Sequence, residues 1–354
     1  MPMPESSPHA LAVVSTSLHL LYLAEFAHRY RIASLELVIL LKRSTDRAQI
    51  EQVLDEIECA EVHWVDATGR CASRFISVYE VFGIGDLSLA RSCYTYGVFA
   101  DYGRSLLANV DCERYYWLGD GTKIIYETSA VGAASVNRHR LQSYADPVVR
   151  MLSRKRLLLK HEPQVFSPFA LGVPGQELNN FDWLREHYRS AGVGTGGAAN
   201  MADVAYFFGS YFSERGGRVL MTDDDYLAYM QRVVDYYAAR GLELVYVPHR
   251  HEGDEKLARI AALPGTRVER FTYPAELEFC KRKERPAHVS SFFSTCLIHF
   301  QLLGLSDSVT AFYIDFARHD AGYRPVAEEI YAVIRQTLGE DMVIDLDEQM
   351  RRVA

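Results

Sequence analysis

The chain has 354 residues, 49% of them apolar and 24% charged. This composition excludes disordered and fibrous classes and leaves a packed globule longer than one hydrophobic core usually organises, so two domains are expected. The formal charge of −8, from 38 Lys and Arg against 46 Asp and Glu, excludes a general nucleic-acid binder, which would carry a basic surplus.

The cysteines Cys59, Cys71, Cys93, Cys112, Cys280 and Cys296 are scattered with no C-x-x-C pair, which speaks against a zinc or redox site and for a reducing compartment. No apolar run reaches the roughly 18 residues of a membrane span, and the opening M-P-M-P-E-S-S-P lacks a basic signal region. A cytoplasmic protein is expected. The segment Met151 to Lys160 mixes basic and apolar residues; it reads as a domain-linking helix or, alternatively, as a peripheral contact with the inner membrane.

Short β-branched and aromatic runs alternate with helix-length periodic segments, the pattern of parallel sheets covered by helices. Leu11–Ser15 reads as a strand, Leu18–His28 as a helix, Leu35–Leu41 as a strand, Asp46–Glu58 as a helix and Val62–Val65 as a third strand. Tyr115–Leu118 is a further strand and ends in Gly119, Asp120, Gly121 and Thr122. That turn lies at the carboxyl end of a strand, the edge where open α/β sheets bind ligands. Asp120 is therefore well placed for acid–base work, or it simply holds a glycine-flanked turn.

Residues 160–200 read as a connection, with P-Q-V-F-S-P, G-V-P-G-Q and G-V-G-T-G-G in succession. The last run lacks the ending of a P-loop and reads as a hinge. A second α/β series follows. Val204–Gly209 is its first strand, and Thr222 caps a helix whose first turn holds Asp223, Asp224 and Asp225, acids that suit the helix dipole without a metal.

Glu243–Val247 then runs into Pro248, His249, Arg250, His251 and Glu252. Arg267–Phe271 runs into Tyr273, Pro274, Ala275 and Glu276, and Ala287–Val289 into Ser290, Ser291, Phe292, Phe293, Ser294 and Thr295. A strand that ends in hydroxyls and opens a helix is an anion site, because free amides and the helix dipole converge there; Ser294 alone is equally a plain N-cap. The basic run Lys281, Arg282, Lys283 and Arg285 reads as a solvated face or a guide for an anionic ligand. Pro325–Leu338 reads as an amphipathic helix.

The motifs W-L-G-D-G-T, V-P-H-R-H-E and H-V-S-S-F-F-S-T, in this order, resemble those of bacterial sialyltransferases of the GT-B fold. The polysialyltransferase and lipooligosaccharide sialyltransferase group is the nearest in pattern, and the likeness spans about residue 10 to residue 315. Gly119 replaces the first acid of that group's acid-acid-Gly motif, and Arg250 the proline that follows its histidine.

The resemblance implies an α/β GT-B chain of two Rossmann-like domains with a central cleft. Residues 1–160 would be an acceptor-binding domain, 161–200 a connection, 201–322 a CMP-sugar-binding domain, and 323–354 C-terminal helices packing across the domain junction. It implies an inverting transfer of a sialic acid or related nonulosonic acid from a CMP-sugar to a glycan or glycolipid hydroxyl, with no cofactor and no metal.

In that reading Asp120 is the general base, and His249 the general acid or phosphate stabiliser. Ser290, Ser291, Ser294 and Thr295 receive the donor phosphate. Gly209 lets the backbone approach the nucleotide, Glu276 binds the ribose, and Arg250 adds a contact to the nucleotide. A GT-B transferase using CMP-Kdo or a UDP-sugar is the first alternative. A non-catalytic glycan- or nucleotide-binding module is the second, kept open by Gly119.

Overall fold

The computed structural model describes residues 9–41, 46–54, 57–66, 92–97, 107–110, 112–119, 121–128, 147–148, 151, 158–192, 201, 203–212, 219–282 and 284–347. Asp120, Lys283, most of the 151–160 segment and the glycine run after Gly192 lie outside the described residues.

The chain divides into two compact units, one from Met1–Asp120 and Gly132–Trp183, the other from Gly121–Val131 and Leu184–Ala354. The first is built on a seven-stranded sheet of β1 (His9–Val14), β2 (Ser34–Leu41), β3 (Glu61–Asp66), β4 (Ser92–Gly97), β5 (Cys112–Leu118), β6 (Gln164–Ser167) and β7 (Gln176–Leu178). Their spatial order is β3-β2-β1-β4-β5-β6-β7, and every pairing is parallel. Strands buried on both faces need near-continuous apolar sequence, and β2 supplies S-L-E-L-V-I-L-L with a single charge, Glu36.

Helix α1 (Ser17–Arg29) starts where the Thr16 hydroxyl accepts from the His19 amide and ends on His28 and Arg29, cations that suit its C-terminal dipole. Helix α2 (Asp46–Leu54) follows β2.

Residues 161–200, expected as a connection, contain β6, β7 and a helix, Asp182–Ser190. The reason is length: four- and three-residue strands between prolines and glycines carry too few residues to show a period, and they become strands by pairing, β6 with β5 and β7 with β6.

The second unit carries α3 (Thr122–Thr128), α4 (Asp182–Ser190, shared at its first turn with the other unit) and a six-stranded sheet: β8 (Val204–Phe208), β9 (Glu243–Val247), β10 (Thr266–Val268), β11 (His288–Ser291), β12 (Ser308–Phe312) and β13 (Val343–Ile344). The order is β10-β9-β8-β11-β12-β13, again wholly parallel.

The covering helices are α5 (Asp223–Ala238), α6 (Asp254–Ala261), α7 (Ala275–Arg282), α8 (Cys296–Leu303) and α9 (Arg324–Leu338). The Thr222 hydroxyl caps α5 by accepting from the Asp225 amide at 3.1 Å, as its sequence predicts. That helix buries Tyr226, Tyr229, Met230, Val233, Val234 and Tyr237, a stripe at helical spacing.

Helix α9 packs on α3 within this unit. The 323–354 segment, expected as C-terminal helices, also holds a single 3₁₀ turn (Glu340–Met342) and the two residues of β13, which pair with β12.

Candidate functional site

Both sheets reverse strand order between their first and fourth strands, and ligands of open α/β sheets bind at that switch point, beyond the carboxyl ends. In the second unit it lies between β8 and β11. The loops that surround it follow β8 (Gly209 to Phe212), β9 (Pro248 to Glu252) and β11 (Phe292 to Thr295). Because β9 and β11 flank β8, their ends stand about 10 Å apart, two strand spacings.

His249 sits two residues past β9, on an exposed turn held from beneath by Glu252. The Glu252 side chain is fully buried; its Oε2 accepts the His249 backbone amide at 2.7 Å, and its Oε1 accepts the Tyr246 hydroxyl at 2.7 Å. Since Tyr246 spends its proton on Glu252, the 2.8 Å contact between Tyr226 and Tyr246 is donated by Tyr226, whose oxygen in turn accepts the Ser210 amide at 3.0 Å. Burial holds both phenols far above their ordinary pKa and keeps them protonated.

Lys256, one helical turn beyond Glu252 and almost fully buried, pairs with Oε1 at 2.6 Å and lies 3.4 Å from the centre of the Tyr226 ring. The network joins the backbone of the β8 loop at Ser210 to that of the β9 loop at His249. The imidazole is fixed as well. Its Nδ1 accepts the His251 amide at 3.3 Å, so the neutral ring carries its proton on Nε2, and the ring lies nearly parallel to Tyr211, 8° apart with centroids 6.2 Å distant.

The sequence singles out His249 but not Tyr211, Tyr226, Tyr246 or Lys256, and it leaves Glu252 without a role. The i, i+4 spacing of Glu252 and Lys256 is the one local signal that points to the pair.

Gly209 has a task besides the one expected. A Cβ there would collide with Glu252 Oε2 and the Tyr246 hydroxyl, so the missing side chain admits the network.

Strand β11 runs two residues further than its sequence predicts and takes in Ser290 and Ser291. Both are fully buried, and their hydroxyls donate to the carbonyls of Tyr206 (3.3 Å) and Phe208 (2.7 Å) on β8. Their protons are thus committed to the sheet and not presented to a phosphate. Ser294 and Thr295 remain half-buried ahead of α8. The Ser294 oxygen accepts the Cys296 amide at 3.2 Å, which leaves its own proton for donation, while Thr295 occupies the N-cap position without capping through its side chain.

Glu276 is also displaced from its expected role. It is buried at the start of α7, with Oε1 2.6 Å from His299 Nδ1 on α8. Burial raises its pKa, but the hydrogen bond and charge of His299 outweigh that and hold it below the ordinary carboxylate value. Arg250 is exposed on the turn beside His249.

Two members of the basic run are paired locally: Arg282 meets Glu269 at 2.6 Å and Glu278 at 2.8 Å, and Arg285 meets Asp307 at 2.8 Å. Asp120 lies outside the described residues. Its neighbour Gly121 has φ +61°, and a Cβ there would stand 3.7 Å from the Thr295 hydroxyl, so the end of the W-L-G-D-G-T motif meets the serine-rich motif inside the second unit.

No family model and no curated protein matches the chain. Solved structures do. A putative UDP-N-acetylglucosamine 2-epimerase from Listeria monocytogenes is 12% identical with a TM-score of 0.53, covering 95% of this chain and 89% of that one. MnaA of S. aureus, solved with UDP, is 11% identical at 0.51, with 94% and 89% covered. A UDP-GlcNAc 2-epimerase from Neisseria meningitidis, bound to UDP-GlcNAc, is 10% identical at 0.50, with 96% and 95% covered. Identities this low carry the fold alone: the chain is an α/β protein of the GT-B fold with two Rossmann-like units. Among the described residues no helix is long and apolar enough to cross a membrane.

Proposed function

We propose that this GT-B chain is an inverting glycosyltransferase that moves a sialic acid or related nonulosonic acid from a CMP-sugar to a glycan hydroxyl. The observation that carries the reading is His249: an imidazole at the carboxyl edge of β9, beside the switch point, with its backbone anchored by buried Glu252 and its neutral tautomer set with the proton on Nε2.

In the reaction Asp120 takes the acceptor hydroxyl proton, and the oxygen attacks the anomeric carbon of the donor. The bond to the CMP phosphate breaks with its electron pair going to the phosphate oxygen, which His249 Nε2–H stabilises or protonates. Ser294, and Thr295 beside it at the N-terminus of α8, supply further donors to the same phosphate. No step runs through a metal.

A UDP-sugar donor is the second reading, favoured by the UDP in two of the similar structures. Thermal unfolding with CMP, UMP, UDP and GDP at equal concentration separates them, because the better native-state ligand raises Tm more. CMP gives the largest rise if the donor is a CMP-sugar; an equal or larger rise with UDP overturns that assignment in favour of the second reading.

A further inference from the structure

Three adjacent strands of the first unit gather ionisable side chains on one face at the amino edge of the sheet, the edge opposite the one where such sheets bind substrates. Parallel registers pair Leu11 with Glu36, Glu36 with Glu61 and Val38 with His63. With the period-two alternation of strands, His9, Glu36, Glu61 and His63 all share the face whose inner part is the apolar cluster of Leu11, Val13, Val38 and Val65.

His63 Nε2 lies 2.9 Å from Glu36 Oε1 and 3.6 Å from Glu61 Oε1, and His9 Nε2 lies 4.0 Å from Glu36 Oε2. One ligand atom each from Glu36, Glu61 and His63 falls within 4.8 Å of the others.

We propose that His9, Glu36, Glu61 and His63 form a zinc-binding site that ties β1, β2 and β3 together. Tetrahedral zinc with bonds of about 2.0–2.1 Å sets its ligand atoms roughly 3.3 Å apart, and His63 Nε2, at 2.9 Å from Glu36 and 3.6 Å from Glu61, stands on either side of that value, with His9 Nε2 farther out at 4.0 Å from Glu36. An ion pair between His63 and Glu36 alone leaves one observation unexplained: His9 Nε2 is shielded from solvent and makes no hydrogen bond. Its one charged neighbour, Glu36 Oε2, stands at 4.0 Å, too far for a hydrogen bond, and a metal between the two bridges that gap.

Two imidazoles and two carboxylates suit zinc, whereas magnesium and calcium take oxygen ligands. The two carboxylates balance the charge of the ion. Glu36, Glu61 and His63 form the compact set, and His9, across Glu36, closes the tetrahedral shell on binding, so the ion braces the sheet and leaves no position open for chemistry.

The test is calorimetric titration of the full-length chain with zinc chloride after chelator treatment and dialysis, with thermal unfolding in parallel. Wild type takes up one equivalent and gains Tm, and magnesium chloride shows no saturable binding. Glu61→Ala removes a side chain that is 65% exposed, so it leaves the fold intact; both it and His63→Ala weaken zinc binding by at least about tenfold. Absence of saturable zinc binding, or wild-type affinity in both variants, overturns the site.

Discussion

Glu252→Ala tests the brace beneath His249. The substitution removes a carboxylate with no solvent exposure and strands three partners at once: the Lys256 ammonium, 4% exposed, the Tyr246 hydroxyl and the His249 amide. Breaking a buried ion pair from one side costs about 3–5 kcal/mol. For a unit of this size, each kcal/mol is worth roughly 2–4 °C in Tm, so the drop in Tm is on the order of 6–20 °C.

Thermal denaturation followed by circular dichroism reads it, with the exposed neighbour replaced in Glu255→Ala as control. The double variant Glu252→Gln/Lys256→Met removes both charges together and recovers a large part of the loss, since the penalty lies in the unpaired partner rather than in the pair. A Tm for Glu252→Ala within about 2 °C of wild type, against the fall worked out above, refutes the network as an anchor for the loop.

Gly209→Ala drives a methyl into Glu252 and Tyr246 and destabilises by roughly 1–3 kcal/mol; an unchanged urea midpoint contradicts this. Glu276, held below its ordinary value, contributes stability that is complete above its unfolded pKa of about 4.3 and is lost as pH falls through its lower folded value. Stability therefore declines more steeply below about pH 4.5 in wild type than in Glu276→Gln, and matching acid profiles count against the His299 pairing. His249→Ala weakens CMP binding and lowers turnover by roughly a hundredfold, whereas Asp120→Ala abolishes transfer with CMP affinity retained; the reverse split, read by calorimetry and single-turnover assays, refutes the two roles.

The α/β class, the two-part organisation and most central strands follow from alternation within short windows, because a strand such as Glu243–Val247 carries its own β-branched signal and ends at a proline. Thr222 and its three acids likewise mark a helix start without outside information. What the sequence hides is set by neighbours distant in the chain.

Ser290 and Ser291 read as loop hydroxyls, yet β8 on one side and β12 on the other extend the ladder through both, and their protons turn to β8 carbonyls. Gly209 reads as a place for a ligand, and only the folded loops set Glu252 and Tyr246 against it. Glu276 at a helix start looks like a ribose ligand, and only the packing of α8 on α7 brings His299 to it. Strands β6 and β7 are too short for a period and exist through pairing alone.

Nucleotide release from a panel of sugar donors tests the central assignment most directly. Incubated without acceptor, the purified chain releases CMP slowly from CMP-sialic acid, and the rate falls in His249→Ala. It leaves UDP-N-acetylglucosamine and CMP-Kdo intact. Release of UDP or of Kdo at a rate above that of CMP from CMP-sialic acid, or no release from any donor, contradicts a transferase that uses a CMP-activated nonulosonic acid.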